Sequence, residues 1–387
     1  MSTVFLSAGD ASGELHAAEL AEELRRLQPG IRLLGLGGAQ MERSGVDLVA
    51  RQEALAIGGL VEVMRDLGRI ARAWRTVVRA LRRVRPDLLL LVDSPDFNIP
   101  LARRSKRLGI PALYYISPQV WAWRRGRVAK IARRVDRMAV IFPFEREVYG
   151  KTSLPVDFVG HPLVDRLRSW SREHDAAGCR GALGIDAQRP LVALLPGSRR
   201  NELRTNLPLQ LSVAEVLHAR DPRLCFALAV APSIPRELVE RALASRPLPS
   251  LLDLRVTEGR TYEVVRAADV VLAKPGTITV EVALLGTPLV VAGRVHPATA
   301  LVMRRLLHVS RFAMPNLIAG APVVPEFLQQ EARPQAIAES LLSLLEGPER
   351  ERQQRALEEV RRQLGEGGAA HRAACIALEM LRGAAAA

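Results

Sequence analysis

Short apolar runs alternate along this chain with stretches in which apolar residues recur every third or fourth position. Thr3–Ser7, Arg32–Leu36, Leu88–Val92, Ala112–Ile116, Met138–Phe142 and Asp157–Val159 have the length of strands. Helical periodicity follows most of them, and this βαβα order predicts a mostly parallel, doubly wound sheet. The stretch 169–189 is polar, carries Gly178, Gly181 and Gly184, and reads as a linker. Strands then resume at Leu191–Leu195, Leu224–Val230, Asp269–Ala273 and Pro288–Ala292, with helices at Leu207–Arg220 and Ile278–Leu285. The expectation is an α/β protein of two Rossmann-like domains, 1–168 and 186–345, with mostly parallel sheets facing a central cleft. A helical tail follows, and its 350–387 part is expected to join the first domain. In such sheets ligands bind beyond the carboxyl ends of the strands.

Composition narrows this picture. The chain has 387 residues, more than one ordinary core accommodates. Its 48% apolar and 25% charged residues are those of a globular protein. The net charge of +14 favours anionic partners, and only Lys106, Lys130, Lys151 and Lys274 are lysines. Arginine grips phosphate through a fixed fork, although a coding bias toward arginine explains much of the excess. Aromatic residues are 4% and no recognition-helix or RNA-binding signature occurs, which argues against nucleic acid as partner. Cys179, Cys225 and Cys375 are isolated, so neither a disulfide framework nor a zinc site is expected. No metal and no cofactor are called for. The start lacks the basic and apolar regions of a signal peptide. The apolar runs are strand-sized, so membrane contact is expected only at a surface.

Chemistry concentrates at predicted strand ends. Ser7–Glu14 holds Gly9, Asp10, Ser12 and Gly13, where glycine lets backbone approach a ligand and Asp10 or Ser12 can cap a helix. Asp93 follows the Leu88–Val92 strand and suits a general base; Asp96 reads as the cap of the next helix. Ser117, Gln119 and Trp121 lie in a loop suited to sugar or acyl recognition. His161 is either a ligand contact or a structural histidine. Ser198 and Arg199, beside Gly197, have the makings of a diphosphate cradle. Gly276 and Thr277 open a helix whose start favours phosphate, and Glu281 one turn on suits ribose hydroxyls. Residues 67–84 form a basic amphipathic helix; with Leu60, Val61, Val63, Met64 and Leu67 it is a candidate contact for anionic membrane.

The segments AGDASGELHAAEL, VDSPDFNIPLARR, YYISPQVWAWRRGRV, FPFE, FVGHPLVD, LLPGSRRNEL, PGTITVEVALLGTPLVV and MPNLIAG, in this order, resemble bacterial lipid-A-disaccharide synthases over nearly the whole length. The resemblance implies a GT-B glycosyltransferase with the donor nucleotide held mainly by the C-terminal domain. It implies inverting transfer from UDP-2,3-diacylglucosamine to 2,3-diacylglucosamine 1-phosphate (lipid X), with UDP released. It implies a peripheral protein at the cytoplasmic face of the inner membrane. It also puts Asp93 in the essential acidic position, with Asp10 as a second catalytic candidate, and adds Asn316 to the donor-site residues. Asp10 and Glu14 exchange acid lengths relative to the family's AGExSGD, and Lys274 replaces a small residue. Another UDP-sugar transferase or epimerase of this fold is the nearest alternative, and a noncatalytic membrane scaffold is a further one. A homodimer is left open.

Overall fold

Strand Leu88–Val92 is buried at every position, as expected for a parallel strand covered by helices on both faces. The same holds for Leu191–Leu195. These two strands are the centres of two separate sheets in the computed structural model, which describes residues 2–55, 60–123, 126–246, 249–295 and 311–386. The chain divides into unit 1, residues 1–162 and 365–387, and unit 2, residues 163–364.

Unit 1 contains strands β1 (Thr3–Ala8), β2 (Arg32–Gly37), β3 (Asp47–Arg51), β4 (Leu88–Val92), β5 (Ala112–Tyr115), β6 (Arg137–Val140) and β7 (Val156–Phe158). Their order is β3-β2-β1-β4-β5-β6-β7, all parallel. The order reverses between β1 and β4. Unit 2 contains β8 (Leu191–Leu195), β9 (Cys225–Val230), β10 (Leu254–Glu258), β11 (Val270–Ala273), β12 (Leu289–Gly293) and β13 (Glu326–Leu328), in the order β10-β9-β8-β11-β12-β13. Here the reversal falls between β8 and β11. In both sheets the reversal opens a crevice beyond the strand ends, where such folds bind ligands. Each unit is therefore a Rossmann-like α/β domain.

Three edge strands, β3, β10 and β13, were not expected from the sequence. Each is half-exposed, with polar residues such as Asp47, Arg51, Glu258 and Glu326 at its ends. The 169–189 stretch is not a linker. It forms parts of helices Leu163–Glu173 and Ala176–Ala182, and Cys179, Leu183 and Ile185 are buried in unit 2. The tail also divides differently from the expectation for 350–387. Helix Pro348–Gln363 belongs to unit 2, and only the segment from Gly365 returns to unit 1. There, helix Ala369–Ala386 buries Ala369, Ala373, Ala374 and Ala377 completely. That smooth face packs on helix Ala11–Leu27, and Arg372 donates to the Val159 carbonyl at 2.7 and 2.9 Å.

The basic helix runs Leu60–Val84. It buries Val77 and Leu81 completely, presses Trp74 edge-on against Phe97 at 5.3 Å, and leaves Arg72, Arg75, Arg79, Arg82 and Arg83 exposed. The side chains of Leu60, Val61, Val63, Met64 and Leu67 lie outside the described residues. Among the described residues no helix is long and apolar enough to cross a membrane.

Candidate functional site

In unit 1 the chemistry gathers at the β1–β4 reversal. Asp10 caps helix Ala11–Leu27: its Oδ1 accepts the Gly13 N–H at 2.8 Å. Its Oδ2 accepts the Ser94 hydroxyl at 2.5 Å, and that hydroxyl oxygen accepts the Gly9 N–H at 3.0 Å. Ser94 thus ties the end of β4 to the turn after β1.

Asp93 and Ser94 have φ of 45° and 43°. Such left-handed backbone costs about 1–2 kcal/mol per residue without glycine. The surroundings hold it in place. The Asp93 carbonyl accepts the Tyr114 hydroxyl at 2.5 Å and the Asn98 amide at 2.8 Å. Asn98 also donates to Ser7 and Val92 carbonyls and accepts the Ser7 hydroxyl at 2.7 Å. Strain held by buried bonds at a strand end is typical of functional positions. Burial pushes the Asp93 carboxyl up to about 6; the neighbouring Asp10 carboxylate adds to the rise, and the Ser94 N–H and His16 oppose it. Gly13 leaves room for this packing, because a Cβ there would lie 3.3 Å from the Val92 carbonyl oxygen and 3.7 Å from Asp93 Cβ.

The remaining unit 1 candidates differ in what they offer a ligand. His161 is buried against the Phe142 ring at 5.1 Å. Burial, with His16 nearby, lowers it to about 3, so near neutral pH it is an uncharged hydrogen-bonding group. Trp121 is buried edge-on to Phe144 at 5.1 Å. Gln119 is exposed. Ser117 is buried and its hydroxyl is bonded to the Tyr149 hydroxyl at 3.0 Å, so it shapes the loop from within. Asp96 does not cap its helix. Ser94 holds that position, and Asp96 is 83% exposed and paired with Arg127 at 3.1 Å. Glu145 closes the FPFE segment of the resemblance, which assigned it no role. It is buried, accepts the Ile141 and Phe142 N–H groups, and is pushed up to about 8 by desolvation. The glycine-rich turn Gly35–Gly38 at the end of β2 is closed by the protein itself. Glu14 fills the space over Gly38 and accepts the Gln40 N–H at 2.7 Å and the Gln52 amide.

In unit 2 the candidates gather at the β8–β11 reversal. The turn after β8 carries Gly197 with φ 127°, then exposed Ser198 and Arg199. Among the described residues Arg199 makes no ion pair, which leaves its fork available to an anion. Across the reversal, Gly276 has φ 141° and Thr277 begins helix Ile278–Leu285. A helix start leaves N–H groups without intrahelical partners. Glu281, one turn in, has its pKa raised by burial, and the nearby Tyr262 hydroxyl and Arg166 oppose that rise. Tyr262 is itself raised to about 12 by burial.

Asn316 requires a different reading from the one the motif suggested. It is buried and its amide is fully engaged: Nδ2 donates to the Val324 carbonyl and Glu326, and Oδ1 accepts the Val323 and Val324 N–H groups. Glu326 in turn accepts the Phe312 and Ala313 N–H groups. Asn316 therefore organises a loop and has no donor to spare. Among the described residues no three His, Cys, Asp or Glu side chains converge as metal ligands.

The family model described as lipid-A-disaccharide synthetase matches residues 4–380. The lipid-A-disaccharide synthase of Geobacter metallireducens is 44% identical over 380 residues, covering 98% of this chain and 97% of the relative. That of Syntrophus aciditrophicus is 40% identical over 380 residues, covering 98% of each. Among solved structures, Acinetobacter baumannii MurG superposes with a TM-score of 0.59 at 15% identity, covering 98% of this chain and all of that one. A UDP-GlcNAc 2-epimerase from Neisseria meningitidis bound to UDP-GlcNAc gives 0.61 at 13% identity, covering 99% and 100%. These structures share the GT-B fold of two Rossmann-like domains.

Proposed function

The chain belongs to the lipid-A-disaccharide synthase family of glycosyltransferases, and from that premise we propose how its residues divide the reaction. The donor is UDP-2,3-diacylglucosamine and the acceptor is 2,3-diacylglucosamine 1-phosphate, lipid X. The acceptor 6-hydroxyl oxygen attacks the donor anomeric carbon from the face opposite UDP. The new β-1,6 bond forms as the bond to UDP breaks, UDP leaves with the electron pair, and the configuration inverts.

Asp93 takes the 6-hydroxyl proton. The single observation that carries this assignment is its carboxyl, raised to about 6 on a backbone fixed by Asn98 and Tyr114. A base with a pKa near the working pH combines ionisation with basicity. Asp10 positions it through Ser94. In unit 2, Arg199, Ser198 and the Gly276–Thr277 helix start hold the diphosphate as negative charge builds on it. Glu281 binds the ribose, with Tyr262 and Arg166 orienting its carboxylate. Gly13, Gln119, Trp121 and His161 serve acceptor binding. The exposed Arg72, Arg75, Arg79, Arg82 and Arg83 of the Leu60–Val84 helix support contact with the anionic cytoplasmic face of the inner membrane, with Leu60, Val61, Val63, Met64 and Leu67 as the lipid-contact candidates of its sequence.

Incubation with both substrates, followed by mass spectrometry, should yield the disaccharide 1-phosphate and UDP. Asp93→Ala should abolish that product while UDP still binds. Conversion of UDP-GlcNAc without an acceptor would instead favour an epimerase.

A further inference from the structure

An ion pair spans the unit 2 reversal. Lys274, just past β11, places its Nζ 3.1 Å from Oε1 of Glu202, in the first turn of the helix after β8. The other carboxylate oxygen accepts the Ser198 N–H at 3.1 Å. Both side chains are mostly covered, at 18% and 23% exposure. The pair lies directly over two bare stretches of backbone. A Cβ on Gly197 would come within 2.6 Å of Glu202, and one on Gly276 within 2.7 Å of Lys274 Nζ. A backbone donor, a cation and two glycines with positive φ are the elements of an anion cradle. Its present occupant is the protein's own carboxylate.

We propose that Glu202 stands in for the donor diphosphate when no donor is bound, and that Lys274 is a diphosphate-binding residue which Glu202 keeps in position. This inference rests on the diphosphate lying at the β8–β11 loops. Carboxylate and phosphate oxygens accept the same charge-assisted bonds. Donor binding therefore exchanges one anion for another: Glu202 swings aside, and Lys274 and the Ser198 N–H pass to the phosphate. Without the exchange, entry of a diphosphate would set two anions against each other over Gly197. A scaffold role for Glu202, complementing its helix start, predicts the opposite response to loss of its charge.

Calorimetric titration of the full-length protein with UDP and with uridine separates these outcomes. Glu202→Gln should tighten UDP by about two- to fivefold, the range of a partly exposed ion pair. Lys274→Met should weaken UDP about tenfold, as loss of a bond between charged groups does. Its loss should be larger in the Glu202→Gln background, where no internal anion offsets it. Uridine affinity should stay unchanged in each variant, which also reports that the fold is intact. Weaker UDP binding by Glu202→Gln, or unchanged binding by Lys274→Met, overturns the inference. Lys274→Met decides the matter alone if Glu202→Gln does not fold. Arg199→Ala is the parallel control. If it too leaves UDP affinity unchanged, the placement of the diphosphate fails; if it weakens UDP while the other variants do nothing, only the exchange falls.

Discussion

Replacing Asp93 by asparagine separates the two consequences of its burial. An ordinary aspartate titrates near 3.8, whereas Asp93 in the folded protein titrates at about 6. Each pKa unit corresponds to about 1.4 kcal/mol, so a wholly buried group with this shift would destabilise the fold by about 3 kcal/mol. Water reaches part of the Asp93 side chain, and screening brings the figure to about 2 kcal/mol. The sign follows from which state binds the proton more tightly. Below the unfolded value of 3.8 the carboxyl is protonated in both states and contributes nothing. As pH rises, the unfolded chain gives up its proton first, so stability falls until the folded group also ionises. The full penalty stands above pH 6. Asp93→Asn should therefore melt with the wild type near pH 4 and above it at pH 8, by about 4 °C or more. Its turnover should fall by about a hundredfold or more, the contribution of a positioned base. Melting by scanning fluorimetry at pH 4, 6 and 8, beside a UDP-release assay, measures both effects. A melting difference independent of pH, or a loss at pH 8, would refute the electrostatic argument. Retained turnover would remove Asp93 from the chemistry.

Three further outcomes follow from the same contacts. Tyr114→Phe deletes the 2.5 Å bond to the Asp93 carbonyl; it should cost about 1–2 kcal/mol in denaturant unfolding and lower kcat more than it raises KM. Glu145→Gln should stabilise the protein by an amount that grows between pH 4.5 and 8 and is flat above, because the raised acid lets the unfolded chain ionise first; melting temperatures across that range check it. Asn316→Ala leaves buried partners at Val323, Val324 and Glu326 unsatisfied; a loss of about 3 kcal/mol or more is expected, and proteolysis near residues 311–326 should reveal it first.

The strands of both sheet centres were legible in the sequence because burial on two faces demands unbroken apolar runs. Leu88–Val92 and Leu191–Leu195 were located to the residue. The edge strands β3, β10 and β13 were not, because half-exposed positions admit polar residues that blur the period. Loops at the reversals were legible too, since Gly197 and Gly276 mark backbone that other residues rarely adopt. What escaped was tertiary partnership. Tyr114 read as a core residue of a strand, and its hydroxyl bond to Asp93 depends on strand neighbours distant in sequence. Glu202 drew no reading, because it lies before the stretch read as the Leu207–Arg220 helix; only the β8–β11 pairing brings Lys274 to it. Asn316 looked like a ligand donor because a motif preserves a residue type without disclosing which of its bonds are already made.

The division of the chain at 162 and 365 also has a bearing on biosynthesis. Domains ordinarily fold in the order in which the ribosome delivers them. Here the earlier domain is interrupted, and the alanine-faced helix that covers Ala11–Leu27 is delivered after all of the later one. The later domain can close while the earlier one still exposes an apolar helix face to solvent. That interval is when chaperones would engage the nascent chain, and a ribosome stalled near codon 365 would release a product with one finished domain and one exposed.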